Sequence, residues 1–214
     1  MMMKAGFPIA ATAGGLFLAM AGTAGAGNGN KLYLLQEKTF GTEGNTLSVD
    51  QSQANDSIIR GLVSGQPATQ KGSGNRAELT IDGNGGRVQL LQNNSISGGA
   101  GNSAVVNLSG NALAILGQVG AGNTANLSVA GELAQGSIFQ TGKFNNADLS
   151  VSGNRAKGLV TQIGNNITTG LSVTGTGTTV SYTVNGNNVT NAPGGGVQVY
   201  TNGAAVSITQ TTFP

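Results

Sequence analysis

The chain contains no cysteine and no histidine, and only 8% of its 214 residues are charged. Without thiols or imidazoles it cannot form disulfides, thiolate or imidazole metal sites, a cysteine nucleophile or a Ser-His-Asp triad. The formal net charge of +2 is too small for the chain to neutralise a series of phosphates along a nucleic acid, which argues against nucleic acid as a partner. The composition leaves only carboxylate, hydroxyl or lysine chemistry, and we expect a protein that is not an enzyme and has no cofactor or metal.

Glycine is abundant instead, at 37 residues, and apolar residues occur only in short runs after the leading segment. A core built from such short pieces must repeat them many times. This pattern is typical of a β-solenoid, in which each repeat packs only on its neighbours.

Residues 1–26 have the features of a signal peptide. Lys4 precedes an apolar run, and small residues stand at Ala24 and Ala26. We expect cleavage after Ala26, which would release a secreted chain beginning at Gly27, with residues 27–38 as a short segment that runs into the first repeat. A transmembrane anchor is the alternative, but glycine and polar residues interrupt the apolar run and no basic cluster follows it.

One unit repeats without slippage through the middle of the chain, so that the same residue types recur at every twenty-second position. The recurrence holds for three successive units. Its members are Gln118, Gln140 and Gln162, then Gly120, Gly142 and Gly164, then Leu127, Leu149 and Leu171, and two positions later Val129, Val151 and Val173. We assign residues 31–175 to a repeat solenoid, with noisier copies of the pattern at Gln36, Asn45, Gln92 and Asn102, and residues 176–214 to degenerate repeats.

Each unit reads as strand, turn, strand, turn. Asn123, Ala125, Leu127 and Val129 alternate with small or polar residues, as in a half-buried strand. A lone two-stranded unit is marginal in water, so the units must stack, with equivalent residues in ladders at about 4.8 Å. Inward Gln and Asn side chains could then bond along the stack. We count roughly seven or eight rungs by this alternation, with 180–184 as a first strand and 202–210 as a second strand.

Two segments resemble the curlin repeat Q-x-G-x-G-N-x-A. They are Gln70-x-Gly72-x-Gly74-Asn75-x-Ala77 and Gln118-x-Gly120-x-Gly122-Asn123-x-Ala125, and a third, Gln140-x-Gly142 with Asn145-x-Ala147, departs at Phe144. Curlins are the subunits of curli, the extracellular amyloid fibres of bacterial biofilms. The resemblance implies a secreted amyloid-forming subunit of a fibre that mediates adhesion, with further copies of itself, a related curlin subunit or nucleator, an outer-membrane export pore and periplasmic accessory proteins as partners.

Departures from the curlin pattern leave alternatives open. Valine replaces the closing Gln of the motif in the three central units, and Ile167 and Thr169 stand where Asn and Ala belong. The chain could be the main subunit, the nucleator or a divergent relative. It could also be a non-polymerising cell-surface adhesin or ligand-binding module. A solenoid enzyme with a carboxylate pair is disfavoured, because most carboxylates fall at turns or at the exposed alternates of strands.

Overall fold

Apolar residues that alternate with polar ones at a period of two build strands along the whole chain, and glycine-rich turns separate them. The computed structural model describes residues 17–19, 28–39, 43–94, 96, 99–190, 196, 198–199 and 205–212. The strands, numbered in chain order, are β1 Phe17–Ala19, β2 Lys31–Leu32, β3 Leu34–Glu37, β4 Thr46–Asn55, β5 Ile58–Arg60, β6 Ala68–Lys71, β7 Arg76–Asn84, β8 Arg87–Asn93, β9 Ser103–Ser109, β10 Leu113–Ala121, β11 Thr124–Asn126, β12 Gln135–Lys143, β13 Asn146–Ala147, β14 Lys157–Asn165, β15 Thr168–Thr169, β16 Thr179–Asn187 and β17 Ala205–Thr211.

The strands form two sheets between which the chain alternates. The first sheet has eleven strands, in the order β1-β3-β6-β8-β10-β12-β14-β16-β17 with β2 and β5 beside this path, and the second has six, in the order β15-β13-β11-β9-β7-β4. Successive strands within a sheet are parallel from β2 onward, so each circuit of the chain returns one strand spacing further along the axis. The fold is a β-solenoid of about six turns with no helix among the described residues, which confirms the predicted all-β solenoid.

The pairing register shows how much chain each turn contains. Gln118 pairs with Gln140 and Gln140 with Gln162, a step of 22 residues in each case. The step is 26 residues between Gln92 and Gln118 and 34 between Gln36 and Gln70. Residues 61–67, between β5 and β6, form one loop outside the sheets that lengthens such a turn. Added loop residues are tolerated because they change the closure entropy only slowly.

The core lies between the inner faces of the two sheets. Leu90, Leu116 and Ile138 fill it from the first sheet, and Leu79 and Val106 fill it from the second, all fully buried. Alternate residues of each strand point outward. The interior is therefore a set of columns that run along the solenoid axis, each containing one residue per turn.

The prediction of a second strand at 202–210 is wrong. β17 pairs with β16 in the first sheet, with Gln210 beside Val184, so this segment is the first strand of a further turn. The step from Val184 to its partner Gln210 is 26 residues and not 22, so the alternation in this turn is out of phase with that of the central turns. Beyond β15, the described part of the second sheet continues only as isolated bridges at Thr190 and Gln198, so complete turns number about six and not seven or eight.

The predicted signal peptide and its cleavage site lie outside the described residues, apart from β1. β1 runs antiparallel to β3, with Leu18 opposite Leu35. Within the described part of the chain there is no helix with the length and hydropathy needed to cross a bilayer.

Candidate functional site

A ladder of glutamine side chains runs through the interior of the first sheet. Each side-chain amide nitrogen donates to the side-chain oxygen of the glutamine in the next turn, at 2.6 to 2.9 Å. The members of this glutamine ladder are Gln36, Gln70, Gln92, Gln118, Gln140 and Gln162. All are buried, and most also donate to a backbone carbonyl of the second sheet, as Gln140 does to Thr124. The buried amides are thus satisfied along the axis and across the core.

An asparagine ladder lies where the chain bends from the first sheet to the second. Its members are Asn45, Asn75, Asn102, Asn123 and Asn145. Asn123 donates from its backbone nitrogen and from Nδ2 to Asn102 Oδ1, both at 3.1 Å, and its Nδ2 also donates to Gly142 O at 3.0 Å. The Asn-to-Asn bonds point toward the N-terminal turns and the Gln-to-Gln bonds toward the C-terminal turns, so the two side-chain dipole columns oppose one another.

Glycine is required in the turn between these two ladders. Gly72, Gly120, Gly142 and Gly164 have φ of +99°, +114°, +122° and +139°. A Cβ at Gly142 would overlap the carbonyl oxygen of Gly164 in the next turn. Glycine is needed here because successive backbones approach closely and because L side chains avoid this φ.

The next turn position tolerates other residues at some strain. Gly74 and Gly122 have φ of +68°, and Phe144 occupies the same position with φ +55° and a 57% exposed side chain. The irregularity of the third curlin-like segment is thus accommodated by a phenylalanine in the left-handed region.

The remaining predicted residues line the second-sheet half of the core. All are buried, and Ala125 pairs in register with Ala147. These residues are Ala77, Ala125, Ala147, Leu127, Leu149, Leu171, Val129, Val151 and Val173. The structure therefore brings every predicted ladder residue into the interior.

Both amide ladders end in the same turn. Gln162 Nε2 donates to Thr169 Oγ1 at 3.0 Å, and Val184 follows Gln162 in the column. Ile167 stands in the asparagine column, and its backbone nitrogen donates to Asn145 Oδ1 at 3.1 Å. In the sequence, Ile167 and Thr169 could be identified only as departures from the curlin repeat pattern. Thr169 reaches Gln162, the last glutamine of the ladder, only because the two sheets pack against one another.

The outer face of the second sheet is concave. A groove of about 570 Å³ crosses four turns there, lined by Thr124, Asn126, Asn146, Asp148 and Thr168 among others, with Gln198 at its rim. Side chains with hydroxyl or amide groups line it together with apolar ones such as Val105 and Leu171. No group of three or more carboxylates that could hold a metal ion occurs among the described residues.

Comparisons with known proteins place the chain in no family. No family model matches it, and no significant match was found among curated proteins or solved structures. Function must therefore be argued from the chain's own geometry.

Proposed function

We propose that this protein is a structural subunit that stacks with further copies of itself into an extracellular, curli-like amyloid fibre. The observation that supports this most directly is the interior itself. Parallel in-register strands, stacked glutamines and asparagines and aligned apolar columns are the side-chain arrangement of cross-β assemblies. Within one chain this arrangement continues for about six turns, and a second copy would extend it by the same contacts.

The two ends of the coil are suited to such extension. Leu47 and Val49 of β4 at one end, and Val206 and Ile208 of β17 at the other, point toward the core but stay partly exposed. β4 is the last strand of the second sheet and pairs on one side only, with β7, among the described strands. A strand edge beside uncovered apolar residues is a template for pairing with another chain.

The finer features of the proposal follow from the curlin resemblance. The unit that recurs from Gln118 to Gln162 would be the basic rung, and the longer turns would be variants with loop insertions. The chain would be secreted after cleavage at Ala26, pass an outer-membrane pore with periplasmic accessory proteins, and function at the cell surface in adhesion and biofilm matrix. A related curlin subunit or nucleator would be a further partner. No part of this role needs catalysis, a cofactor or nucleic acid.

Fibre diffraction and electron microscopy test the proposal. The chain recovered from the medium of an expressing bacterium should form unbranched fibres that show reflections near 4.7–4.8 Å and about 10 Å. Intact mass of the same sample reports whether residues 1–26 have been removed. A solution that stays monodisperse for days at high concentration would contradict the proposal.

A binding module is the second candidate, because the groove on the second sheet combines polar side chains, such as Asn126 and Asp148, with an apolar lining. In that case the chain would remain monomeric, and substitution of groove residues would alter adhesion to surfaces. Under the fibre proposal the same substitutions leave fibre growth unchanged, because these side chains point away from the ladders.

A further inference from the structure

The two outer faces of the solenoid carry opposite charge. Among the described residues, five cationic side chains lie on the outer face of the first sheet, Lys31, Arg60, Lys71, Arg87 and Lys157, with the single carboxylate Glu37. On the outer face of the second sheet the described part of the chain places four carboxylates, Asp50, Glu78, Asp82 and Asp148, with the single cation Arg76. We call these the basic face and the acidic face.

The assignment of these residues to faces follows from the pairing register. Arg87 pairs with Leu113, Leu113 with Gln135, and Gln135 with Lys157, and the next residue in each of these strands is buried. In the same way Glu78 stands between the buried Ala77 and Leu79. Of the other described charged residues, Lys143 ends β12 beyond the bend at Gly142, and the rest lie in the segments between the strands.

The basic face also has an apolar centre. Ile115, Phe139 and Leu159 point outward from neighbouring strands and are partly exposed, and Val119 and Ile163 beside them are 37% and 46% exposed. Such a patch rimmed by charges is typical of a surface that binds another protein.

We propose that the basic face of one solenoid packs against the acidic face of a second copy, so that solenoids associate side by side. A second copy is the partner because the same chain presents the complementary charge on its opposite face. Such charge complementarity fixes the orientation of association. Each face joins a different face, so the contact repeats without closing and produces bundles.

The size of the faces is sufficient for a stable contact. Six strands of the first sheet at about 4.8 Å, with about seven residues of about 3.3 Å each, give a basic face of about 650 Å². A second copy that covers this face would bury about 1,300 Å² of the two surfaces together, which lies within the range of specific protein interfaces. This contact is independent of the axial stacking in the proposed function, because it uses only outward-pointing residues.

The test uses paired charge reversals in the full chain. R87E/K157E alters the basic face, and E78K/D148K alters the acidic face. K143E/R155E is the matched control, because it changes net charge by the same amount as R87E/K157E. Lys143 is the last residue of β12, beyond the positive-φ Gly142 and paired with the buried Ala121, and Arg155 lies in a turn, so neither belongs to the outward rows of the basic face. Bundle width is measured by electron microscopy at low salt. Copies labelled with ¹⁴N and ¹⁵N are mixed, treated with a zero-length carboxylate-amine cross-linker and analysed by mass spectrometry.

We expect bundles from the native chain and from K143E/R155E, and single filaments from each face variant alone. An equimolar mixture of the two face variants should restore bundles, because the basic face of one meets the acidic face of the other. Isotope-mixed cross-links should join Lys157 or Lys31 to Glu78 or Asp82 in the native chain. About 1 M salt, where the Debye length falls to about 3 Å, should separate the bundles.

Several results would overturn the proposal. The proposal is wrong if the face variants form bundles as K143E/R155E does, or if cross-links join two basic faces or two acidic faces. Absence of filaments in every sample would refute the fibre function alone, since unpolymerised chains still report side-by-side association by sedimentation. Salt-sensitive oligomers would then support the charge-face contact, and monomers would overturn it.

Discussion

The turns from Gln36 to Gln162 and the turns after them stack strands in the same way but fill their columns differently. In the earlier turns the interior contains the glutamine ladder and the asparagine ladder, and in each of them the buried side-chain amide of one turn bonds to that of the neighbouring turn. In the later turns Val184 and Val189 occupy these columns, and the phenol of Tyr182 donates to Gln210 Oε1 at 3.2 Å. Amide bonds restrict the first region to one register, since displacement by one residue would leave buried amides unpaired. The later region depends on apolar packing, which tolerates more variation in side chains.

The largest effect is expected from a charge placed within the glutamine ladder. Gln140→Lys removes the acceptor for Gln118 and the donor to Gln162 and buries an ammonium group without a counter-charge. We expect the free energy of unfolding, measured by urea titration of the soluble chain, to fall by about 3–5 kcal/mol. Gln140→Lys should also lengthen the lag time before fibres grow. Lys143→Gln, at the exposed end of β12, should change stability by less than about 0.5 kcal/mol. Similar losses for both variants would show that the glutamine column is not energetically distinct.

A methyl group in the glycine turn should have the next largest effect. Gly142→Ala places Cβ against the backbone carbonyl of Gly164 at φ +122°, and we expect a loss of about 2–4 kcal/mol. In the later region a Cβ at Gly186 would overlap the hydroxyl of Thr212 and would lie 2.9 Å from the Thr212 backbone oxygen. Because this backbone contact is looser than the one at Gly142, Gly186→Ala should lose less stability. Thermal unfolding followed by circular dichroism compares the two. Gly170→Ala, with nothing within 4 Å of its Cβ, is the control and should be almost neutral.

A glutamine placed at Val184, in the later turns, tests whether a buried amide is tolerated wherever the neighbours in its column can bond to it. Val184 pairs with Gln162 on one side and Gln210 on the other, so Val184→Gln has partners for its amide and should change stability by less than about 1 kcal/mol. Val160 stands between Ile138 and Tyr182, so Val160→Gln buries an amide in an apolar column and should cost about 2–3 kcal/mol. If urea titrations gave the two variants equal losses in the free energy of unfolding, the column of Val184 would not differ from that of Val160 in its tolerance of an amide.

The smallest effect concerns the strained turn. Phe144→Gly removes a left-handed φ of +55° from a bulky residue and should raise stability by about 0.5–1 kcal/mol, after the entropy cost of glycine. In the later region Asn188 has the same φ of +55°, but Asn tolerates it, so Asn188→Gly should gain less. Phe144→Ala retains the strain and is the control for loss of the side chain. A gain for alanine equal to that for glycine in thermal unfolding would exclude strain as the cause.

Much of the interior could be predicted from residue type and spacing. Gln118, Gln140 and Gln162 recur with the apolar alternation, and polar side chains on the buried side of stacked strands have few partners other than one another. The sheet that Ala205–Thr211 joins could not be predicted in this way. Alternation shows that a segment is a strand, but it does not show which sheet the strand joins once an intervening loop has changed the phase.

The sequence by itself determined the all-β solenoid, the columns of amides and the glycines between them, because a period of two and a repeated unit allow few other ways to bury these side chains. The tertiary structure alone decided three further features. They are the opposing directions of the two ladders, the use of Thr169 to end one of them, and the separation of charge onto two faces. Each depends on residues far apart in the chain that become neighbours only when successive turns stack. Arg87 and Lys157 belong to distant parts of the chain but share one outward row, whereas Glu78 lies in the strand just before that of Arg87 but on the opposite face.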